Sequence, residues 1–212
     1  MVQKQEAKRR GRPRSYDPEQ ALQQIMEAFW KTGYSGTSLD DLSAATGLNR
    51  PSLYAAFGDK REIYLKALAH YRRLASGPIS EAFSSNAPLR DALMQVYRAS
   101  LSLYFPPEGI PRGCFVIGTA TTEAVEEPEI REALMQGLRS LDAGFTACIG
   151  AAQRRGEIPE DADAAALAAL ASATLYSLAI RARAGASREE LETLAQGATN
   201  VICGPGAPAG TP

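Results

Sequence analysis

The sequence predicts an all-α protein, with a three-helix head at the N-terminus and a larger helical body after it. Apolar residues recur at helical spacing between residues that cap helix starts, and no segment alternates convincingly at period two. The 45% apolar content of the 212 residues is enough for a packed core. We expect a disordered basic arm over 1–15, the head over 16–76, the body over 77–203 and a disordered tail over 204–212.

The first two helices of the head are marked by their capping residues. Asp17 followed by Pro18 is typical of a helix start. Ser38 can cap a second helix, with Asp41 three residues later in the capping-box position. Gly47 then predicts a tight turn, because glycine adopts a left-handed backbone at little cost.

A third helix, over 49–57, has an unusual exposed face. Asn49 can cap it, and Leu53 and Phe57 lie four residues apart on the face that must point inward. The outward face then consists of small, uncharged residues, namely Pro51, Ser52 and Ala55, flanked by Tyr54. A merely soluble helix would carry Lys or Glu there, whereas a helix that enters a DNA groove about 12 Å wide benefits from small residues.

Charge is distributed unevenly along the chain. Residues 1–74 hold 13 Lys and Arg against 8 Asp and Glu, while residues 75–212 hold 10 against 16. Only the N-terminal part is therefore expected to contact a polyanion.

The segment GYSGTSLDDLSAATGLNRPSLYAAFGDKREIY resembles the helix-turn-helix of the TetR family of transcriptional regulators, and the similarity covers roughly residues 15–73. The glycine turn, the LY pair, Phe57 and the following GDK occur in the expected order. Ser43 stands where the family usually has alanine at the helix crossing, and we expect it to be tolerated because a serine is nearly as small. The resemblance implies a ligand-responsive regulator, more often a repressor than an activator. It would bind a palindromic double-stranded DNA operator as a homodimer and be released by a small-molecule effector.

On the outward face of the helix over 49–57, we expect Arg50 to form most of the hydrogen bonds that recognise bases, because Pro51 and Ala55 offer only apolar contacts. Four residues match phosphate-contacting positions of the family, namely Thr37, Ser52, Tyr54 and Lys60. The predicted DNA-binding set also includes Ser38. In the arm, Arg12 and Arg14 could enter an A·T-rich minor groove, and the alternative is a merely solubilising or cloning-related tail.

The body is predicted to contain further helices bracketed by Pro, Gly or Asp. The fourth helix is expected from Lys60 to about Ser76, where Gly77-Pro78 breaks it. The later helices are expected over 88–104, 114–125, 128–155, 162–183 and 187–202. An uncharged run over 164–180 is mostly alanine with hydroxyl residues, so we interpret it as a soluble helix and expect no membrane contact.

Cys114 is the sharpest effector-site hypothesis in the body. The segment RGCFVIGTATTE resembles one recurring in a TetR subgroup whose members respond to small or electrophilic molecules. Cys114 would begin a helix close to Arg112, and both features favour a thiolate. The alternative is a small buried residue that fills space.

Aromatic residues predict the walls of an effector cavity and an apolar stripe predicts a dimer surface. The predicted effector-binding residues besides Cys114 are Tyr97, Tyr104, Phe105, Phe115, Phe145 and Tyr176. Core packing would explain most of them equally well.

The predicted dimer residues on the helix over 162–183 are Leu167, Leu170, Thr174 and Leu178, and the alternative is an intramolecular core helix.

Other functional classes fit the sequence poorly. An enzyme is disfavoured because the sole histidine, His70, has no Asp neighbour. No histidine or cysteine accompanies the acidic cluster of Glu123, Glu126, Glu127 and Glu129. We predict no catalytic residues, no cofactor and no metal site. A copper sensor using Cys114, Met94 and Met135 is a minor alternative without a metal motif. An architectural DNA protein would not need so large a body.

The N-terminus has no apolar signal-peptide core, so we expect a cytoplasmic protein.

Overall fold

The computed structural model describes residues 16–108 and 110–204, and these residues form nine α-helices and no strand. The all-α prediction is confirmed. The helices are α1 Pro18–Thr32, α2 Leu39–Thr46, α3 Arg50–Phe57, α4 Lys60–Ser84, α5 Leu89–Tyr104, α6 Phe115–Glu123, α7 Pro128–Arg154, α8 Ala164–Arg183 and α9 Arg188–Cys203. Arg12 and Arg14 of the arm and residues 205–212 of the tail lie outside the described residues.

The helix starts of the head follow the capping residues predicted from the sequence. The Ser38 hydroxyl accepts from the Asp41 amide, and the Asp41 carboxylate accepts from the Ser38 amide at 2.7 Å. The Asn49 side chain accepts from the Ser52 amide at 2.9 Å. Asp59 forms a second capping box at the start of α4. These bonds satisfy first-turn amides that lack helical partners, so local sequence defines the helix ends.

The predicted break at Gly77-Pro78 is wrong, because α4 continues through both residues to Ser84. A proline inside a helix costs about 3 kcal/mol through its missing N–H and ring clash. Packing beyond the proline offsets this cost: Ala82 is buried, and the Phe83 ring contacts the Phe145 ring edge-on with centroids 5.0 Å apart. One 25-residue helix therefore runs from the head into the body, and the predicted boundary after residue 76 falls inside it.

Two hydrophobic clusters form the core. One holds α5, α7, α8 and α9 together around Leu93, Tyr97 and Phe145. The other contains the head residues and also buries Phe115 and Ile130, which belong to α6 and α7. The core of the head is thus completed by the body.

Among the described helices, α8 alone is long and apolar enough to cross a membrane by length and composition, with a mean hydropathy of 1.4. Its Ala171, Leu178 and Ala182 side chains are buried against the rest of the chain, and α8 contacts α5, α6, α7 and α9. Such packing is typical of a core helix of a globular body.

Candidate nucleic-acid interface and ligand cavity

The helices α2 and α3 meet at the glycine turn predicted from the sequence. Gly47 has φ +69° and its amide donates to the Ser43 carbonyl at 2.9 Å. Leu53 and Phe57 are buried, whereas Pro51 and Ala55 on the opposite face of α3 are exposed. The predicted inward and outward faces are confirmed, and the outward face is short enough for close approach to a groove.

Arg50, at the start of α3, is paired with Asp40 near the start of α2. The guanidinium donates to the two carboxylate oxygens, from Nε at 2.8 Å and from Nη2 at 2.5 Å. Hydrogen bonding from Arg50 holds the pKa of Asp40 below its usual range, so both groups remain charged at neutral pH. The sequence predicted a role for Arg50 but not for Asp40, because the two residues lie on different helices and the spacing within one helix cannot show that they meet.

The other predicted DNA-binding residues fall into different environments. Tyr54 is half exposed, and the Lys60 ammonium lies 4.6 Å from the centroid of the Tyr34 ring. Ser52 is half-buried, and Ser38 is exposed but uses its hydroxyl to cap α2.

Thr37 requires a correction, because its side chain is buried. Its hydroxyl donates to the Gly33 carbonyl at 2.6 Å and lies 2.7 Å from the Thr32 hydroxyl. The predicted phosphate contact by this hydroxyl is therefore incompatible with this structure. The side chain instead closes the turn between α1 and α2.

A cavity of about 680 Å³ lies between helices α4 to α8. Three predicted effector residues line it together, namely Tyr104, Cys114 and Tyr176. Apolar side chains that the sequence did not single out supply much of the wall, and they include Tyr71, Ile79, Phe83, Val116, Ile117, Leu138, Leu141 and Leu175. Pockets of this size bind small organic molecules, so the geometry suits a largely apolar ligand.

The prediction that the other four aromatic residues surround the same cavity is wrong. Tyr97 is buried and donates to the Ala171 carbonyl at 3.2 Å, while Phe145 packs between Phe83 and Tyr97. Phe115 lies in the head cluster, 5.4 Å from the Trp30 ring, and Phe105 follows α5 away from the cavity lining. Helical spacing identified buried positions but could not tell a core-facing ring from a cavity-facing one.

Cys114 occupies the cap position of α6, as predicted, but its environment opposes a thiolate. Burial raises the pKa of the thiol, and the backbone amides of Ile117 and Val116 counter that effect only in part. Arg112 does not assist, because its guanidinium lies 3.8 Å above the Trp30 ring and pairs with Glu27. At neutral pH the Cys114 side chain is a neutral thiol.

Tyr71 connects the cavity with the head. Its hydroxyl donates to the Cys114 sulfur at 3.5 Å, and its ring contacts Trp30 edge-on with centroids 5.1 Å apart. Tyr71 thus belongs to the cavity wall and to the head core at once. A ligand that moves this ring must disturb the packing of α1.

Polar contacts tie α6 and α7 to the head as well. The Tyr64 and Thr119 hydroxyls lie 2.6 Å apart, and the Ser35 hydroxyl donates to the Glu123 carboxylate at 2.9 Å. Arg61 lies 3.5 Å from Glu129. Two carboxylates of the acidic cluster, those of Glu123 and Glu129, therefore contact the head.

The predicted dimer stripe is only partly at the surface. Leu178 and Thr174 are buried within the chain, and the Thr174 hydroxyl donates to the Leu170 carbonyl. Leu167 is half-buried and Leu170 is 39% exposed. Two apolar residues are more exposed than Leu170, namely Ile180 on α8 at 58% and Val201 on α9 at 70%.

The residues weighed for the alternative functions are dispersed or engaged. His70 is buried, with its Nε2 atom 3.0 Å from the Gln23 side-chain oxygen. Met94 accepts from the Thr199 hydroxyl, and neither Met94 nor Met135 lines the cavity that holds Cys114. Within residues 16–108 and 110–204, no group of three His, Cys, Asp or Glu side chains could hold a metal ion.

Comparison with known proteins yields two family models. One, described as bacterial regulatory proteins of the tetR family, matches residues 21–67, and the other, a tetracyclin repressor-like C-terminal domain, matches residues 90–198. The first match spans α2, α3 and the turn between them, and the second spans most of the body.

Individual relatives agree with these matches. The chain is 34% identical over 189 residues to the transcriptional repressor ComR of Escherichia coli, covering 89% of this chain and 90% of ComR. It is 27% identical over 183 residues to YezE of Bacillus subtilis, described as an uncharacterized HTH-type transcriptional regulator, covering 86% and 94% of the two chains. Among solved structures, a cysteine mutant of the TetR-family regulator CifR bound to 26bp double-strand operator DNA has a TM-score of 0.82 and 31% identity, covering 89% of this chain and 98% of that one.

Proposed function

Because this chain belongs to the TetR family of DNA-binding transcriptional regulators and is not an enzyme, we propose that it is a homodimeric cytoplasmic repressor that a small-molecule effector releases from a palindromic operator. One observation carries the proposal: α4 joins a DNA-reading surface on α3 to a ligand-sized cavity without a break. ComR is a repressor and CifR was captured on operator DNA, which supports the same direction of control.

The DNA contacts that we propose follow from exposure and charge. Arg50 reads a base, while Pro51 and Ala55 approach the groove and offer apolar contact to a thymine methyl. Ser38, Ser52, Tyr54 and Lys60 set the register on the phosphates, and Arg12 and Arg14 of the arm enter the adjacent minor groove.

Dimerisation is proposed through α8 and α9. Leu170, Ile180 and Val201 are exposed apolar side chains on these two helices, and small alanine side chains around them permit close helix contact. Two heads related by a dyad would read half-sites whose centres lie about 34 Å apart, or a multiple of that distance.

The effector that we propose is a largely apolar molecule bound between Tyr104, Cys114 and Tyr176. Its binding would shift Tyr71 and, through Trp30 and α4, reorient the head. Coupling of this kind needs a ligand that prefers the head position incompatible with DNA, and a difference of about 1–3 kcal/mol changes operator occupancy roughly 5- to 150-fold.

One experiment tests the function as a whole. Fragments of the source genome that bind the full-length protein would be selected, and compounds would then be screened for release of the enriched fragment. Recovery of a near-palindromic fragment and its release by a small molecule is the expected result. Binding without sequence preference would contradict a regulator, and failure of every cavity-sized compound to release DNA would contradict an effector-controlled one.

The Cys114→Ser variant separates covalent from noncovalent effectors. Serine preserves the volume while removing the thiol, so DNA binding should persist. If the effector is an electrophile, release should disappear. If the effector is a noncovalent apolar molecule, release should persist, and filling the cavity should block it instead. Gly137→Leu is suited to that purpose because Gly137 lines the cavity and a Cβ atom there meets nothing within 4 Å.

A further inference from the structure

Asp40 and Arg50 form an exposed, bidentate ion pair on the head. Both carboxylate oxygens receive a guanidinium N–H, in a planar two-bond arrangement. Arg61, another arginine of the head, has a single contact with Glu129, at 3.5 Å. The Arg50 side chain is thus held in one direction, although a free arginine of this exposure would sample many rotamers.

Stability does not explain the pair. The two side chains are 56% and 71% exposed, and exposed ion pairs contribute little to folding. The position of Asp40 is also unfavourable for general DNA affinity, because a carboxylate beside the reading face of α3 is repelled by phosphates. The place of Asp40 in the first turn of α2 favours a negative charge, as does that of Asp41, but it does not explain the two-bond contact with Arg50.

Donor geometry supplies a reason for that contact. A guanidinium has five N–H donors, and Asp40 occupies the Nε donor and one Nη2 donor. Two of the three remaining donors lie on the edge of the guanidinium formed by Nη1 and Nη2, which can pair with the N7 and O6 acceptors of guanine. Arg50 is the first residue of α3, the end of a recognition helix that contacts base edges.

We propose that Asp40 is a positioning residue that orients the Arg50 guanidinium toward a guanine and thereby sets the sequence specificity of α3. This inference rests on the proposed base-reading role of Arg50. Because Asp40 fixes the guanidinium before binding, Arg50 loses less conformational entropy when it contacts the correct base. At DNA sites where no base accepts from the guanidinium, the Asp40 carboxylate lowers the affinity. Asp40 therefore lowers the affinity for DNA of any sequence and increases the preference for the correct base.

The test uses full-length wild type, Asp40→Ala, Asp40→Asn, Arg50→Ala and the double variant, each selecting from a pool of random-sequence DNA duplexes. Glu129→Ala serves as a matched control, since it removes the carboxylate partner of another head arginine. Affinity for the enriched duplex, for its single-base variants and for an unrelated duplex would then be measured at one salt concentration.

In wild type we expect one position per half-site at which guanine is preferred about tenfold or more, and we expect Arg50→Ala to abolish this preference. Asp40→Ala should reduce the preference at that same position at least about threefold, while affinity for the unrelated duplex stays equal or rises. Asp40→Asn, which keeps one acceptor oxygen, should give an intermediate preference. In the Arg50→Ala background, Asp40→Ala should change no base preference, and Glu129→Ala should leave it at the wild-type value.

The outcomes separate this inference from the proposed function. If Arg50→Ala removes the preference but Asp40→Ala retains it, or if Asp40→Ala weakens all duplexes equally, Asp40 is only a scaffold residue and the inference fails alone. If Arg50→Ala leaves every base preference unchanged, the role of Arg50 is wrong and the inference falls with it. Enrichment of no sequence by wild type would overturn the regulator itself.

Discussion

The head and the body of this protein differ in how sequence determines their function. In the head, residues three or four apart in sequence define each helix end and each exposed face, as in the capping bonds at Ser38, Asn49 and Asp59. In the body, the proposed effector site is a cavity whose walls come from five helices. Local chemistry builds a reading surface, whereas only tertiary packing builds an enclosed volume.

The structure also shows where the two regions are not separate. Phe115 begins α6 in the body sequence yet packs among Trp30, Tyr64 and Tyr71 of the head. Tyr71 is the reverse case, because it belongs to the head sequence yet lines the body cavity. Through these two rings the cavity wall and the core of the head are in direct contact, and the proposed coupling would follow this path.

The largest expected effect follows from that contact. Phe115→Ala should lower the free energy of unfolding by about 3–5 kcal/mol, since the ring is fully buried in the shared cluster. It should also change the fluorescence of Trp30, the single tryptophan of the chain, whose ring lies 5.4 Å away. Urea unfolding followed by circular dichroism, together with the emission spectrum, measures both.

Phe145→Ala is the matched control for this prediction. Its ring is equally buried in the body cluster, so a similar loss of stability is expected without the change in Trp30 emission. If Phe115→Ala lost little stability and left the emission unchanged, Phe115 would belong to the body alone, and the path through the aromatic cluster would be wrong.

The same contrast explains which features the sequence could predict. The all-α fold, the caps, the glycine turn and the faces of α3 were predictable because each depends on short-range spacing. The break at Gly77-Pro78 was wrong because burial of Ala82 and packing of Phe83 against Phe145 outweigh the local cost of proline. Tyr97 and Phe145 were misplaced because helical spacing shows that a ring is buried but not whether it faces the cavity. The pairing of Asp40 with Arg50 was missed because it depends on the angle between two helices.

Two glycines test the contrast at the level of the backbone. Gly47 in the head has φ +69°, so Gly47→Ala should lower stability by about 1–2 kcal/mol and weaken DNA binding. Gly137 in the body is helical, and Gly137→Ala should raise stability by up to about 1 kcal/mol. Chemical denaturation compares the two directly. A gain of stability in Gly47→Ala would show that the turn does not require glycine.

A smaller effect is expected at Ser43, where this chain departs from the alanine usual in the family. The Ser43 hydroxyl is buried and has no hydrogen-bond partner in the part of the chain that the structure describes. Ser43→Ala should therefore raise the free energy of unfolding by about 1 kcal/mol. Thr46, on the same helix, is the control. Its hydroxyl donates to the Leu42 carbonyl at 2.7 Å, so Thr46→Ala should be destabilising. A loss of stability in Ser43→Ala would indicate that the hydroxyl is hydrogen-bonded after all.

The smallest expected effect is a pH dependence of stability that originates in the head. His70 is the only histidine, and burial, with the nearby Arg73 guanidinium, lowers its pKa in the folded chain, although Glu19 acts in the opposite direction. Arg73 donates to Nδ1 and Nε2 lies 3.0 Å from the Gln23 oxygen, an arrangement that suits the neutral ring.

Because the unfolded chain then binds the proton more tightly, the contribution of His70 is fully present above the ordinary pKa of about 6.5. It is lost as the pH falls toward the lowered folded value. Urea unfolding at a series of pH values should show wild type losing stability on acidification relative to His70→Gln, whose side chain does not titrate in this range. Parallel curves for the two proteins would show that the pKa is the same in both states. A relative gain for wild type would mean that attraction to Glu19 outweighs burial, and that the head binds the proton rather than excluding it.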